Sequence, residues 1–140
     1  KIWRQHEEDV MTLLDRPDYM IGSDSIPVAP PLVGIVHPRA YGCFARFIGR
    51  LRRRFNKPLE QVIQRVTQNP AERFKIDKRG VIAKGNYADL VIFNADTVND
   101  QSGFEDPAVH PSGIPHVFVN GQQVVKNERV TGVMAGEAVR

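Results

Sequence analysis

Asp24 stands in the stretch Tyr19-Met-Ile-Gly-Ser-Asp-Ser-Ile-Pro27, after an apolar run and between two serines. A carboxylate where a strand meets its loop can bind a cation or pass a proton. In parallel α/β folds, function gathers at that end of the strands. The same residues also suit an Asx turn that caps the following loop. Further along, His37-Pro-Arg-Ala-Tyr-Gly42 sets an imidazole, a guanidinium and a phenol within five residues of a proline-rich loop. These groups can contact a substrate, or they can pack the loop on itself.

Other chemistry is hard to build from this chain. The four histidines, His6, His37, His110 and His116, form no H-x-H or H-E-x-x-H pair, and Cys43 has no second cysteine. No complete metal site follows from such spacing. There is no P-loop and no G-x-G-x-x-G. Glu105 and Asp106 are adjacent, so in an extended chain they point apart and make no acid–base pair. Asp89, before the apolar run of "ADLVIFN", reads as a structural residue that bonds nearby backbone.

Composition narrows the class. The 140 residues are 41% hydrophobic and 25% charged, which is the balance of one globular domain. No apolar run approaches the ~20 residues of a membrane span. The polar start, "KIWRQHEEDV", has no signal-peptide pattern and no Met, so a processed or truncated piece is expected. A lone cysteine fits a reducing, cytoplasmic setting. The net charge of +3 owes much to Arg46, Arg50, Arg52, Arg53 and Arg54. Phe44, Phe47, Ile48, Leu51 and Phe55 share one helical face across that segment, which leaves the arginines as a solvated opposite face. No aromatics interleave with them to stack bases, so no nucleic-acid partner is expected.

The elements that must position Asp24 and the His37–Tyr41 group follow from periodicity. Residues 4–14 predict a helix, 16–18 a turn and 19–22 a short buried strand. A long proline-rich loop covers 25–42, and a helix follows over about 41–54, with Gly49 allowing close packing. Pro58 opens the next helix, and Asn69-Pro70 caps a short one ending near Phe74. From about residue 76 the period changes to strands: 80–85 as strand and turn, 88–94 as a buried strand, then a hairpin over 116–125. Asn120-Gly121 predicts a type I′ turn in that hairpin. "KNERVTG" adds a turn and a short strand.

In order, "IGSDS", "HPRAYGCFARFIGR", "TQNPAERFKI", "RGVIAKGNYADLVIFN", "FEDP" and "GIPHVFVNGQQVV" make the chain resemble the D-aminoacylase family nearly end to end. These are N-acyl-D-amino-acid deacylases of the metal-dependent amidohydrolase superfamily. "ADLVIF" and "VNG" are common to many amidohydrolases; the His-Pro-Arg-x-Tyr-Gly loop with "FEDP" is closer to the deacylase branch. The resemblance implies an α+β fragment. Residues 1–75 would be the last strand and outer helices of a (β/α)8 barrel, and 76–140 strands of a small β-sandwich.

It also implies that Asp24 is the catalytic aspartate, taking a proton from metal-bound water and giving it to the leaving amine. His37 and Arg39 match a loop near the site mouth and are the substrate-binding candidates. Zinc is the metal the resemblance implies for the parent enzyme. Its ligands, an H-x-H pair, a cysteine and further histidines, match nothing in these residues, so none is expected bound by this chain alone. The small-molecule partner would be an N-acyl-D-amino acid, no membrane is implied, and the isolated chain is expected to be inactive and to self-associate through open strand edges. The competing classes are a non-catalytic binding or assembly module on the same scaffold, and an amidohydrolase for cyclic amides.

Overall fold

The computed structural model describes residues 7–26 and 36–139. His6 and residues 27–35, half of the proline-rich loop, lie outside the described residues. Among these residues the helices come first and the strands last. Helix α1 spans Glu7–Leu14, α2 Arg39–Arg46, α3 Arg52–Arg54, α4 Leu59–Val66 and α5 Gln68–Arg73. A π-helical turn, Phe47–Leu51, joins α2 to α3. Pro38 has φ −51°, already in the helical region. The helix therefore starts two residues before the expected boundary at about 41. Leu14, Phe47 and Val62 bury together, with Tyr19, Ile21, Ile48, Leu51, Phe55 and Val66 packed against them. That cluster is the apolar periodicity of three sequence segments brought onto one another.

Helix α5 begins at Gln68 with Thr67 ahead of it, so Asn69 is not its cap. The Asn69 amide instead donates to the carbonyls of Pro17 (2.9 Å) and Tyr19 (3.3 Å). This ties α5 to the segment that leads to Asp24. Residues 19–22 are extended but belong to no strand. The Tyr19 N–H donates back to the Arg16 carbonyl (3.2 Å), and the Ile21 N–H to the Arg65 carbonyl (3.4 Å). A strand is a pairing state, and among the described residues this segment has no ladder to join.

The sheet is an antiparallel meander, β1 (Leu90–Ile92), β2 (His116–Val119), β3 (Gln122–Lys126) and β4 (Arg129–Val130), in that order. Asn120 and Gly121 take φ of 49° and 78°, the type I′ turn expected from Asn-Gly. Asn127 and Glu128 repeat positive φ at the second turn, at 50° and 62°. Two expectations fail here. Val81 and Ile82 form no strand and are exposed, and Val91 and Ile92 of β1 are half exposed rather than buried. Both runs are strand-forming by composition, but burial needs a second layer, and β1 is an edge.

The arginine face also departs from expectation. Arg52 Nη2 donates to the Ala95 carbonyl (2.5 Å), and Arg53 Nη1 to that of Val98 (2.9 Å). Arg46 pairs with the buried Asp100 (2.5 Å). Three arginines thus hold the 95–100 loop while staying partly open to water, Arg53 most of all, because that loop brings carbonyls and a carboxylate within their reach. Gly49 makes the approach feasible: a Cβ there would lie 2.0 Å from the Val98 carbonyl oxygen. Gly49→Ala is expected to cost about 1–3 kcal/mol of stability by overpacking, although alanine is the better helix former by about 1 kcal/mol. Urea unfolding followed by circular dichroism reads it, and an unchanged midpoint would rule out the tight contact.

Asp89 is structural, as its sequence position suggests. It accepts the Asn120 N–H (2.8 Å) and pairs with the Arg79 guanidinium. Arg79 also donates to Asn120 Oδ1 (2.8 Å) and lies over the Tyr87 ring, 4.3 Å from its centre. Burial opposes ionisation of Asp89, yet the Asn120 N–H and Arg79 outweigh it and hold the carboxyl below its ordinary value. A depressed folded value means this stabilisation is present above the ordinary carboxylate range near pH 4 and is lost as pH falls through the folded value. Acid unfolding should therefore begin at higher pH in a protein with intact Asp89 than in Asp89→Asn once both are normalised to their neutral-pH stability. Parallel acid titrations of the two would contradict this.

Candidate active site

Asp24 ends the extended segment, and its backbone is left-handed, with φ 49°. Aspartate tolerates that region better than most residues, but it still carries a cost, and such positions concentrate at functional sites. Ser23 Oγ accepts the Ser25 N–H at 3.4 Å, closing a small turn under the carboxylate. The side chain is 89% exposed, and one oxygen meets Arg39 Nη2 at 3.0 Å. Residues separated by the proline-rich loop are thereby brought together. Such an open pair contributes little stability, at most about 1 kcal/mol. Its interest is chemical: an accessible carboxylate beside an accessible guanidinium can handle a proton and hold an anion.

Arg39 reaches Asp24 from the first turn of α2. Its N–H donates to His37 Nδ1 (3.1 Å), so His37 fastens the turn locally. The His37 ring meets Phe104 edge-on, with centroids 5.3 Å apart. Tyr41, the third member of the group, instead contacts His110 edge-on at 5.3 Å. A cavity of about 680 Å³ opens between α1, the 19–22 segment and α2, with Tyr19, Ile21, His37, Arg39 and Cys43 in its lining. Burial pushes the Cys43 thiol up, with Arg46 and Arg39 only partly offsetting it, so the sulfur is a poor nucleophile at neutral pH.

Among the described residues no three histidine, cysteine, aspartate or glutamate side chains converge on one point. His116 pairs with Gln123 (3.1 Å) and lies on β2, and His110 belongs with Tyr41. Glu105 and Asp106 are both exposed in their loop. These residues do not fit a metal site. Sequence reasoning missed Asp100 and Ser102, both buried against α2. "NDQS" carries no periodic or motif signal, and only the fold reveals that it lies under the site.

Residues 1–125 match the model of the amidohydrolase family. The chain belongs to that family. This amidohydrolase chain is 37% identical to D-aminoacylase of Alcaligenes xylosoxydans xylosoxydans, over 95% of its own length and 27% of the relative's. It is 38% identical to N-acyl-D-glutamate deacylase of the same organism, over 82% of its length and 23% of that protein's. It therefore spans about a quarter of the curated relatives it matches. The crystal structure of D-aminoacylase superposes with a TM-score of 0.87, at 37% identity and 96% coverage of this chain. N-acyl-D-glutamate deacylase from Bordetella bronchiseptica, solved with zinc and a phosphonate mimic of the tetrahedral intermediate, superposes at 0.78 over 85% of this chain. Work on D-aminoacylase describes a binuclear metal centre with one-metal activation and second-metal attenuation. The likeness to D-aminoacylase extends over nearly the whole of this chain, through the helices and the small antiparallel sheet.

Proposed function

We propose that this chain is the C-terminal part of a zinc-dependent hydrolase that cleaves N-acyl-D-amino acids to a carboxylate and a free D-amino acid. In this reading residues 1–75 are the last strand and outer helices of a (β/α)8 barrel, and 76–140 complete a β-sandwich with strands from elsewhere. The observation that carries it is the exposed, left-handed Asp24 at the end of an extended segment, paired with Arg39 (3.0 Å). The Asp24 carboxylate takes a proton at one oxygen and returns it to the leaving amine nitrogen. Amines leave poorly as anions, so cleavage needs that proton. Arg39, with His37 fixing its turn, offers a cation to the substrate's own carboxylate. Zinc, held by groups outside these residues, would supply an acidic water for the attack.

The isolated chain then lacks a route to activated water and hydrolyses nothing. Its half-exposed Val91 and Ile92 on an edge strand, and exposed Val130, favour self-association until further strands cover them. Full-length protein is expected to release free D-amino acid from N-acetyl-D-amino acids but not from the L forms. Chelation should abolish this, and zinc should restore it. A full-length protein that holds no metal and cleaves neither enantiomer would instead mark a reused, non-catalytic scaffold. Cleavage of cyclic amides alone would shift the substrate class.

A further inference from the structure

Two residues of one loop touch the two residues that precede Arg39. Ser102 Oγ donates to the Pro38 carbonyl at 2.9 Å, and the contact is buried. Phe104 sets its ring edge-on to His37, with centroids 5.3 Å apart. Pro38 and His37 are the residues on which the first turn of α2 rests: Gly42 and Tyr41 N–H groups donate to the Pro38 carbonyl (2.9 and 3.2 Å), and the Arg39 N–H to His37 Nδ1. The loop is itself fixed. Asp100 is buried and takes both Arg46 Nε (2.7 Å) and Nη2 (2.5 Å) on one oxygen. A Cβ on Gly42 would lie 2.3 Å from Ser102 Oγ, so helix and loop are flush.

Phe104 is the informative member. It is 84% exposed. An aromatic so open gains little from burial within this chain, so its contribution to the chain's own packing is small. Its contact is with His37.

We propose that the Ser102–Phe104 loop is a positioning element that sets Arg39 in place beside Asp24, so that residues beyond the helical half of the chain govern substrate affinity at a site within it. This deepens the deacylase reading and rests on it for its kinetic arm. Ser102 and Phe104 act through Pro38 and His37; neither is assigned contact with substrate. Loss of either contact frees the first turn of α2 and misplaces the guanidinium, while the Asp24 carboxylate stays where the 19–24 segment puts it. Binding should weaken more than the chemical step.

The test uses full-length protein carrying Phe104→Ala, Ser102→Ala and Phe104→Tyr, with Phe74→Ala as a similarly open control (70% exposed). Phe104→Ala is the variant least able to disturb folding. Amide hydrogen exchange over residues 36–42 and steady-state kinetics on an N-acetyl-D-amino acid are measured together. Phe104→Ala and Ser102→Ala should each raise exchange in that segment and raise KM by about three- to tenfold, the worth of one such contact, with kcat changed less than about twofold. Phe104→Tyr should restore both, because the ring edge is kept, and Phe74→Ala should change neither. Unchanged exchange in Phe104→Ala overturns the proposal. So does faster exchange without a change in KM, or a fall in kcat that tracks loss of folded protein. An inactive wild type overturns the deacylase reading instead, and the exchange result then decides the positioning role alone.

Discussion

Asp24→Asn in the full-length protein is expected to lower kcat on N-acyl-D-amino acids by about 100- to 10,000-fold, the usual worth of a positioned acid–base group. The asparagine amide matches the carboxylate in shape and keeps a partner for Arg39 through its oxygen. It cannot accept and return a proton. The side chain is 89% exposed and its ion pair is open, so folding should be unaffected. Metal content should also be unchanged, because the asparagine keeps an oxygen at the same place and the metal is held by other groups in the deacylase reading. Zinc analysis and the rate are therefore measured on the same sample. A variant with full metal and near-wild-type kcat would remove Asp24 from the chemistry and leave the pair with Arg39 as a turn device.

The largest stability effect should come from Arg46→Met. Asp100 is 4% exposed at its side chain, and its bonded oxygen receives two N–H groups from Arg46 alone, while Oδ1 has no partner. Removing the guanidinium leaves a buried carboxylate with nothing to offset its desolvation. Breaking a fully buried pair costs about 3–5 kcal/mol, and Arg46 is itself 44% exposed, so about 2–3 kcal/mol is expected. Adding Asp100→Asn should return part of that loss, because a neutral amide is cheaper to bury than an unpaired charge. Urea unfolding of the single and double variants measures both steps. A single variant within about 0.5 kcal/mol of wild type would show that water reaches Asp100 and that the pair is a surface one.

Much of the chain was legible because local rules act within a few residues. The helical face of Phe47, Ile48, Leu51 and Phe55, the Pro58 helix start and the Asn120-Gly121 turn each depend on neighbours in sequence and formed as expected, although Phe44 of that face stays exposed. Asp24 was visible as a carboxylate after an apolar run. The amidohydrolase family was legible from motif order, and residues 1–125 match that family. The failures share one cause. Residues 19–22, 80–82 and 88–94 have strand composition, but pairing and burial are properties of what lies opposite, and the sequence of one segment does not name its neighbour.

The sequence by itself determined the helical segments, the two turns of the meander and the residue types at the site. Only the tertiary structure decided that Arg39 meets Asp24 and that three arginines reach across to Ala95, Val98 and Asp100. It also decided that Ser102 and Phe104 close on the turn carrying Arg39. Periodicity reports which face a side chain takes, whereas a guanidinium long enough to reach a distant carbonyl or carboxylate is placed by whichever partner the chain's packing delivers to it.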